Sequence, residues 1–228
     1  MAKALQDVLR NDVRQRDWPQ LARYREHTAD LQRAATKVDV VFLGDSITDA
    51  WDNEGYGGFF PGKSYVNRGI GGQTTPQMLV RLRPDVLSLK PKVVVLLAGT
   101  NDIAGNTGPV TDADIEQNIA AISELAAAHG VRMVLASILP ISNYHVRPET
   151  GPAQTTRRPM PRILALNAWI RKYAAEHGHV FLDYVPAVAD EKGLLRADLS
   201  EDDLHPNAKG YALMAPLAEH AIAKALAK

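Results

Sequence analysis

An α/β domain built on a parallel sheet is the fold class this sequence predicts, and three observations carry it. Short apolar runs rich in β-branched residues recur near residues 39, 65, 92, 131 and 180. Segments with helical apolar spacing lie between them, and polar clusters containing glycine follow several of the runs at once. Unbroken apolar runs are the pattern of strands covered on both faces, and their alternation with helices implies a parallel sheet sandwiched between helical layers.

Residues 4 to 36 show Leu5, Val8, Leu9, Trp18, Leu21, Tyr24 and Leu31 among charges at near-helical spacing. Pro19 marks a fresh helix start. We read residues 1–36 as an N-terminal helical packing arm on one domain spanning 1–228. Val40 to Leu43 form the first strand, cut off by Gly44-Asp45-Ser46. The segment Trp51 to Gly62 is too rich in glycine for regular structure and too aromatic for a free linker, so it lines a pocket rim or packs on itself as an Ω-like loop. Tyr65 and Val66 begin a second strand that runs into Asn67-Arg68-Gly69-Ile70-Gly71-Gly72-Gln73-Thr74, where the glycines imply close backbone approach or positive φ. Thr75-Pro76 opens a helix with Met78, Leu79 and Leu82 as its apolar stripe.

Lys92 to Gly99 gives the strongest buried-strand signal and ends in Gly99-Thr100-Asn101-Asp102. Thr111 with Asp114 resembles a capping box, and Ile115, Ile119, Ile122 and Leu125 define one face before Gly130 closes the helix. Val131 to Ile138 is the fourth strand. The proline-rich stretch Leu139 to Pro161, containing Asn143-Tyr144-His145, is long for a connection and is the candidate substrate lid. Ile163, Leu166, Ile170 and Tyr173 mark the next helix, ended by Gly178, and Val180-Phe181-Leu182 the fifth strand. A polar loop leads to Asp202-Asp203-Leu204-His205-Pro206-Asn207. The last helix, from Tyr211 to Ala227, is expected to kink or break at Pro216, where a straight helix costs about 3 kcal/mol.

Right-handed crossovers make a flavodoxin-like five-stranded parallel sheet of order 2-1-3-4-5, in a three-layer αβα sandwich, the economical topology. Strands 1 and 3 are then neighbours. Ser46 and Asn101 emerge together at the carboxyl edge, where open α/β sheets bind ligands, with Gly72 arriving from the flanking strand.

Composition removes several alternatives. The chain has 228 residues, 46% hydrophobic and 23% charged, which is ordinary globular composition. Lys plus Arg equals Asp plus Glu at 26 each, so there is no general pull toward nucleic acid or an anionic membrane. The absence of cysteine excludes disulfides, thiolate metal sites and cysteine nucleophiles. No span-length apolar run and no signal-peptide core are evident, so the chain as written is expected to be cytoplasmic, or secreted or periplasmic if a signal peptide has been removed. Gly69-x-Gly71 lacks the third glycine of a dinucleotide fingerprint.

A serine hydroxyl becomes a nucleophile when a histidine takes its proton and a carboxylate orients that histidine. Of the seven histidines, His205 has the fitting context: Asp202 three residues earlier, a polar loop, and Pro206 before a helix. Asp203 should point elsewhere in such a turn. The backbone N–H groups of Ser46 and Gly72 and the side-chain amide of Asn101 can supply an oxyanion hole. Asp102 reads as a turn or cap residue, and Asp45 as a tie for the nucleophile's turn.

These four blocks, Gly44-Asp45-Ser46, Gly69-Ile70-Gly71-Gly72-Gln73-Thr74, Gly99-Thr100-Asn101-Asp102 and Asp202-Asp203-Leu204-His205, resemble in order those of the SGNH superfamily, also called GDSL hydrolases. The Gly-Ile-Gly-Gly-x-Thr form and the Asp-x-Leu-His-Pro ending are most similar to the branch holding platelet-activating-factor acetylhydrolase catalytic subunits and bacterial esterase relatives. The resemblance implies Ser46 as nucleophile, His205 with Asp202 as base pair, and Ser46, Gly72 and Asn101 as oxyanion hole. It implies a metal-independent serine esterase that needs no cofactor and cleaves short acyl esters, acetyl foremost, on a small-molecule or carbohydrate substrate. A carbohydrate acetylesterase or thioesterase is the alternative within the class, and a noncatalytic binding module the alternative outside it. Asp45, Trp51, Tyr144 and His145 are expected to contact substrate. A homo-oligomer is left open. Ile47 stands where the motif's name has leucine, and Leu139 to Pro161 has no assignable counterpart.

Overall fold

The computed structural model describes residues 16–56, 58–146 and 153–227. Five strands, β1 (Val40–Gly44), β2 (Tyr65–Gly69), β3 (Val93–Leu97), β4 (Arg132–Ala136) and β5 (Val180–Leu182), form one parallel sheet in the order β2-β1-β3-β4-β5. This is the predicted topology. Register puts Gly44 opposite both Gly69 and Leu97, so three strands stop at one level.

Because successive side chains alternate between faces, each strand feeds two cores. Val41, Leu43, Val94, Leu96, Met133 and Leu135 belong to one, under α3 (Thr75–Asp85), α5 (Asp112–Ala128) and α7 (Met160–Glu176). Val40, Phe42, Val93, Val95 and Val134 belong to the other, under α9 (Ala208–Leu226) and the residues after β1. Among shorter helices, α1 (Arg25–Arg33) leans on α3, α2 (Ser46–Asp49) follows β1, α4 (Thr100–Ile103) follows β3, and α6 (Gln154–Arg157) and α8 (Val185–Val188) lie in later connections.

The helix starts read at Thr75-Pro76 and at Thr111 are realised. Thr74 and Gln77 form a capping box for α3, and Thr111 and Asp114 one for α5. Gly130 and Gly178 take positive φ just past α5 and α7.

Three expectations need correction. Residues 17–24 form turns organised by the Asp17 carboxylate, which accepts from the Leu21 and Ala22 N–H groups, and the helix starts at Arg25, not at Pro19. Leu125 is 42% exposed and falls off the apolar face of α5, because at 3.6 residues per turn the face continues from Ile119 and Ile122 to Ser123 and Ala126. No break occurs at Pro216: α9 is one helix through it. Burial of Tyr211, Met214, Ala218, Ala221, Ile222 and Ala225 against the sheet offsets the local cost. Leu5, Val8 and Leu9 of the arm lie outside the described residues.

The described part of the arm is fastened to the site's supporting loop. Gln73 and Gln77 donate side-chain N–H groups to the carbonyls of Pro19 and Trp18, at 2.8 and 2.7 Å. Tyr24 donates its hydroxyl to Gly69 O, and the Arg68 guanidinium lies over the Tyr24 ring at 4.6 Å.

Packing is tightest where β1 turns into α2. A Cβ placed on Gly69 would lie 2.0 Å from Asp49 N and 2.5 Å from its Cα. Backbone atoms cannot yield as side chains do, so Gly69→Ala should cost roughly 3 kcal/mol or more, read as a lower urea midpoint at unchanged m-value.

Asp45 caps α2 by accepting from the Ile47 N–H at 3.0 Å, while its Oδ2 is buried with no partner among the described residues. Burial pushes its carboxyl up to about 6, against the pull of that N–H and of His205. The folded value lies above the unfolded one of about 3.9, so the folded state holds the extra proton and stability falls as pH rises from about 4 to about 6. Asp45→Asn removes this dependence. The stability of the native protein relative to that variant should drop by roughly 3 kcal/mol across the window; parallel urea-unfolding curves at all pH values would show an Asp45 already ionised throughout.

Candidate active site

Ser46 opens α2 directly beyond the carboxyl end of β1. Its Oγ is 2.8 Å from His205 Nε2, although the two residues are 159 positions apart. On the other side of the ring, His205 Nδ1 lies 2.6 Å from Asp202 Oδ2. The carboxylate makes Nδ1 the protonated nitrogen, which leaves Nε2 as acceptor for the serine proton.

Asp202 is itself locked. Its Oδ1 accepts from the N–H groups of His205 and Leu204, at 2.8 and 3.1 Å, and from the Ser200 hydroxyl at 3.2 Å. Burial works to raise this carboxyl, but the hydrogen bonds from the His205 side chain and backbone overrule it and hold it well below the ordinary carboxylate range. It is therefore an anion throughout the neutral range. Asp203 points away, as expected, at φ +67°. Its carboxylate accepts from Ser142 Oγ at 2.6 Å and from the N–H groups of Tyr144 and His145 at 2.9 and 2.8 Å.

The loop after β2 faces Ser46. Gly71 donates its N–H to Asp49 Oδ2 at 3.1 Å, and a Cβ on Gly71 would be 3.7 Å from Ser46 Cβ. Gly72 has φ +80°, a left-handed conformation that suits glycine. The N–H groups of Ser46 and Gly72 have no hydrogen-bond partner among the described residues.

Asn101, on α4 at the end of β3, is buried beside this loop. One N–H of its amide donates to Gln73 O at 3.0 Å, and the second has no partner among the described residues. Its Oδ1 accepts from Asn106 Nδ2 at 3.0 Å and from Arg158 Nη2 at 3.3 Å. Asn106 Nδ2 also donates to Gly72 O at 3.0 Å, which ties the two glycine- and asparagine-bearing loops together. Asp102 has the cap role expected of it: both carboxylate oxygens accept from the Thr75 N–H, at 3.0 and 3.1 Å.

The structure thus joins Ser46, His205 and Asp202 directly, and places Gly72 and Asn101 in one hydrogen-bonded group beside them. Two of the expected substrate contacts are corrected. Asp45 is 0% exposed and faces inward as the cap of α2. Trp51 is 4% exposed, packed with Phe42, Phe60 and Tyr211 at centroid distances of 5.8, 5.2 and 4.9 Å, because the turn after α2 drives its indole into the core. The aromatic loop is self-packed, with Phe59 5.1 Å from Phe42 and Tyr56 5.1 Å from Tyr211.

Tyr144 and His145 are anchored through Asp203, and neither hydrogen-bonds to Ser46, Asp202 or His205; the Tyr144 hydroxyl donates to Asp190 Oδ2 at 2.6 Å. They sit in the candidate lid, whose residues 147–152 lie outside the described residues. Sequence reasoning did not find Asn106 or Arg158. Nothing local marks them, since each acts on a partner contributed by another segment.

A cleft of about 490 Å³ opens beside Gly72, lined by Trp18, Gly71, Gln77, Asn106 and Arg157 among others. A larger one of about 1080 Å³, with Arg83, Lys92 and Arg132 on its walls, lies at the amino ends of β3 and β4, the far edge of the sheet from Ser46. Among the described residues no helix is long and apolar enough to cross a membrane, and no cluster of three His, Asp or Glu side chains could hold a metal ion.

Comparison with known proteins places this geometry in a family. Esterase TesA of Pseudomonas aeruginosa is 27% identical over 187 residues, covering 77% of this chain and 83% of that protein. An uncharacterized lipoprotein of Bacillus subtilis, YqeF, is 33% identical over 122 residues, 45% of this chain, and the match spans only 49% of YqeF. Among solved structures, a GDSL-like lipase from Bacteroides thetaiotaomicron VPI-5482 superposes with a TM-score of 0.81 at 36% identity, covering 92% of this chain and all of that one (100%). The sequence profile of the GDSL-like lipase/acylhydrolase family matches residues 42–213, and the chain belongs to that family of hydrolases acting on esters.

Proposed function

We propose that this protein is a serine esterase that cleaves short acyl esters, acetyl foremost, through an acyl-enzyme. The observation that carries the reading is the continuous chain from Ser46 Oγ through His205 to Asp202. His205 Nε2 takes the Ser46 proton as Oγ attacks the ester carbonyl. The tetrahedral intermediate collapses when the resulting imidazolium returns that proton to the leaving alcohol. Water then repeats the sequence on the acyl-serine, with His205 again as base, and releases the acid. Asp202 stays ionised and stabilises the imidazolium.

The negative charge on the former carbonyl oxygen falls to the N–H groups of Ser46 and Gly72 and the free amide hydrogen of Asn101. Such donors act without reorganising, which is why each is worth several kcal/mol in a site shielded from water.

A carbohydrate acetylesterase is the second reading, and the cleft beside Gly72 favours it. Its walls pair the exposed indole of Trp18 with the amides of Gln20, Gln77 and Asn106 and the guanidinium of Arg157, a surface suited to a sugar ring and its hydroxyls. Acetylated xylan and acetylated sugars, assayed beside p-nitrophenyl esters of rising chain length, separate the two.

An organophosphate should form one covalent adduct on the native protein and none on Ser46→Ala; a folded native protein left unmodified would instead favour a binding module. Asn101→Ala should lower kcat by roughly 100- to 1,000-fold with little change in KM, because its donor acts on charge that develops only in the transition state. Equal turnover by that variant in steady-state kinetics would remove Asn101 from the oxyanion hole.

A further inference from the structure

Arg158 is a cation in an unusual position. It is 3% exposed, and among the described residues no carboxylate lies within ion-pair distance of it. Its guanidinium spends its donors on neutral groups: Nε on Thr100 O and Oγ1, both at 3.1 Å, Nη1 on Gln154 Oε1 at 2.6 Å, and Nη2 on Asn101 Oδ1 at 3.3 Å. Burial lowers its pKa to about 10, with neighbouring Arg157 adding to the effect, so it remains charged at neutral pH. A buried charge with no contacting counter-ion is costly. Here the charge is directed at the amide beside the nucleophile.

We propose that Arg158 is a positioning residue that fixes and polarises the side-chain amide of Asn101. This rests on the esterase reading of the site. The Asn101 oxygen faces two donors, Arg158 Nη2 and Asn106 Nδ2. Turning the amide over would set its NH₂ against them and leave Gln73 O facing an oxygen, so only one orientation satisfies every partner. That orientation fixes the nitrogen on the side of the glycine loop, where one hydrogen is held by Gln73 O and the other is left for the substrate oxygen. A bond from a cation to the amide oxygen also draws electron density from the nitrogen, which makes the remaining N–H a stronger donor. Anionic charge on the substrate oxygen would then meet the field of a guanidinium it does not touch.

The segment that carries Arg158 repeats the device one residue earlier. Arg157 Nη2 donates to Asn106 Oδ1 at 3.4 Å, and Asn106 in turn links Asn101 Oδ1 to Gly72 O. Two successive arginines thus hold the two asparagines of the loop after β3. Arg157 and Arg158, just before α7, support the oxyanion side of the site.

The test is a cycle of Arg158→Met and Arg158→Lys, each in the native protein and in Asn101→Ala, followed by steady-state kinetics on p-nitrophenyl acetate. Arg158→Met should lower kcat roughly 10- to 100-fold with KM within about threefold, while in the Asn101→Ala background it should cost less than about threefold more. Arg158→Lys keeps the charge but not the fork and should recover part of the loss. Turnover equal to the native protein, or the same loss in both backgrounds, would overturn the proposal. If Arg158→Met does not fold, the side-chain amide signals of Asn101 in the Arg158→Lys protein decide by NMR: unshifted resonances overturn it. Those signals also separate this proposal from the esterase reading, which fails on its own if the native protein leaves the ester intact.

Discussion

The close seating of α2 on the end of β2 is the constraint on which the site depends. Two glycines make it: a side chain on Gly44 would strike Thr48 Oγ1 at 2.0 Å, and one on Gly69 would strike the Asp49 backbone. With both absent, the turn after β1 folds flat onto its neighbour. Asn67 then stitches the two together, donating to Thr48 O at 2.6 Å and accepting from Gly69 N at 2.7 Å. Arg81, fully buried, donates to Gly44 O at 2.9 Å. Ser46 is thereby held at a fixed height over three strand ends that stop level, and Gly72 and Asn101 follow from the loops those strands release.

Behind this surface the protein concentrates buried charge. Arg81 pairs with Asp85 at 3.3 Å and donates to Gln73 Oε1 at 2.5 Å, and Arg68 donates to Asp85 O at 3.0 Å and to Thr28 Oγ1 at 3.2 Å. Ionic groups taken from water seldom add net stability. What they supply is direction: Arg81 reaches the side-chain amide of Gln73 in the glycine loop and the carbonyl of Gly44 before the nucleophile, while Asp85 and Thr28 hold the two guanidinium groups in place. Gln73 shows the coupling plainly. Its side chain is held between Arg81 and the carbonyl of Pro19, while its own carbonyl takes one hydrogen of Asn101.

The sequence disclosed what is local. Five apolar runs, the capping box at Thr111 and Asp114 and the order of the strands follow from periodicity, capping chemistry and handedness, and the Asp202-to-His205 pair follows from spacing within one turn. What stayed hidden depends on partners far along the chain: Arg158 acts on a residue 57 positions away, and Arg81 on one 37 positions away. Single residues were misread where packing overrode a local signal. Trp51 resembled a rim aromatic but follows α2 into the core, and Pro216 resembled a break but sits in a helix whose burial exceeds the local penalty. Asp45 lies in the active-site motif and nonetheless serves the fold, because the residue before a nucleophile at a helix start is in the capping position.

The adjacency of Asp202 and Asp203 carries the same logic into the base. Two neighbouring carboxylates would repel if they faced the same imidazole. Asp203 avoids this by adopting φ +67°, a left-handed conformation that costs a non-glycine residue about 1–2 kcal/mol. The reversal sends its carboxylate into Ser142, Tyr144 and His145, and Ser142 N–H donates to Asp203 O at 3.0 Å. The turn that aims His205 at Ser46 is therefore braced by the beginning of the segment whose end carries Arg158. Base and oxyanion donors are steadied from the two ends of one connection, which gives that stretch, between β4 and α7, a structural reason to be long.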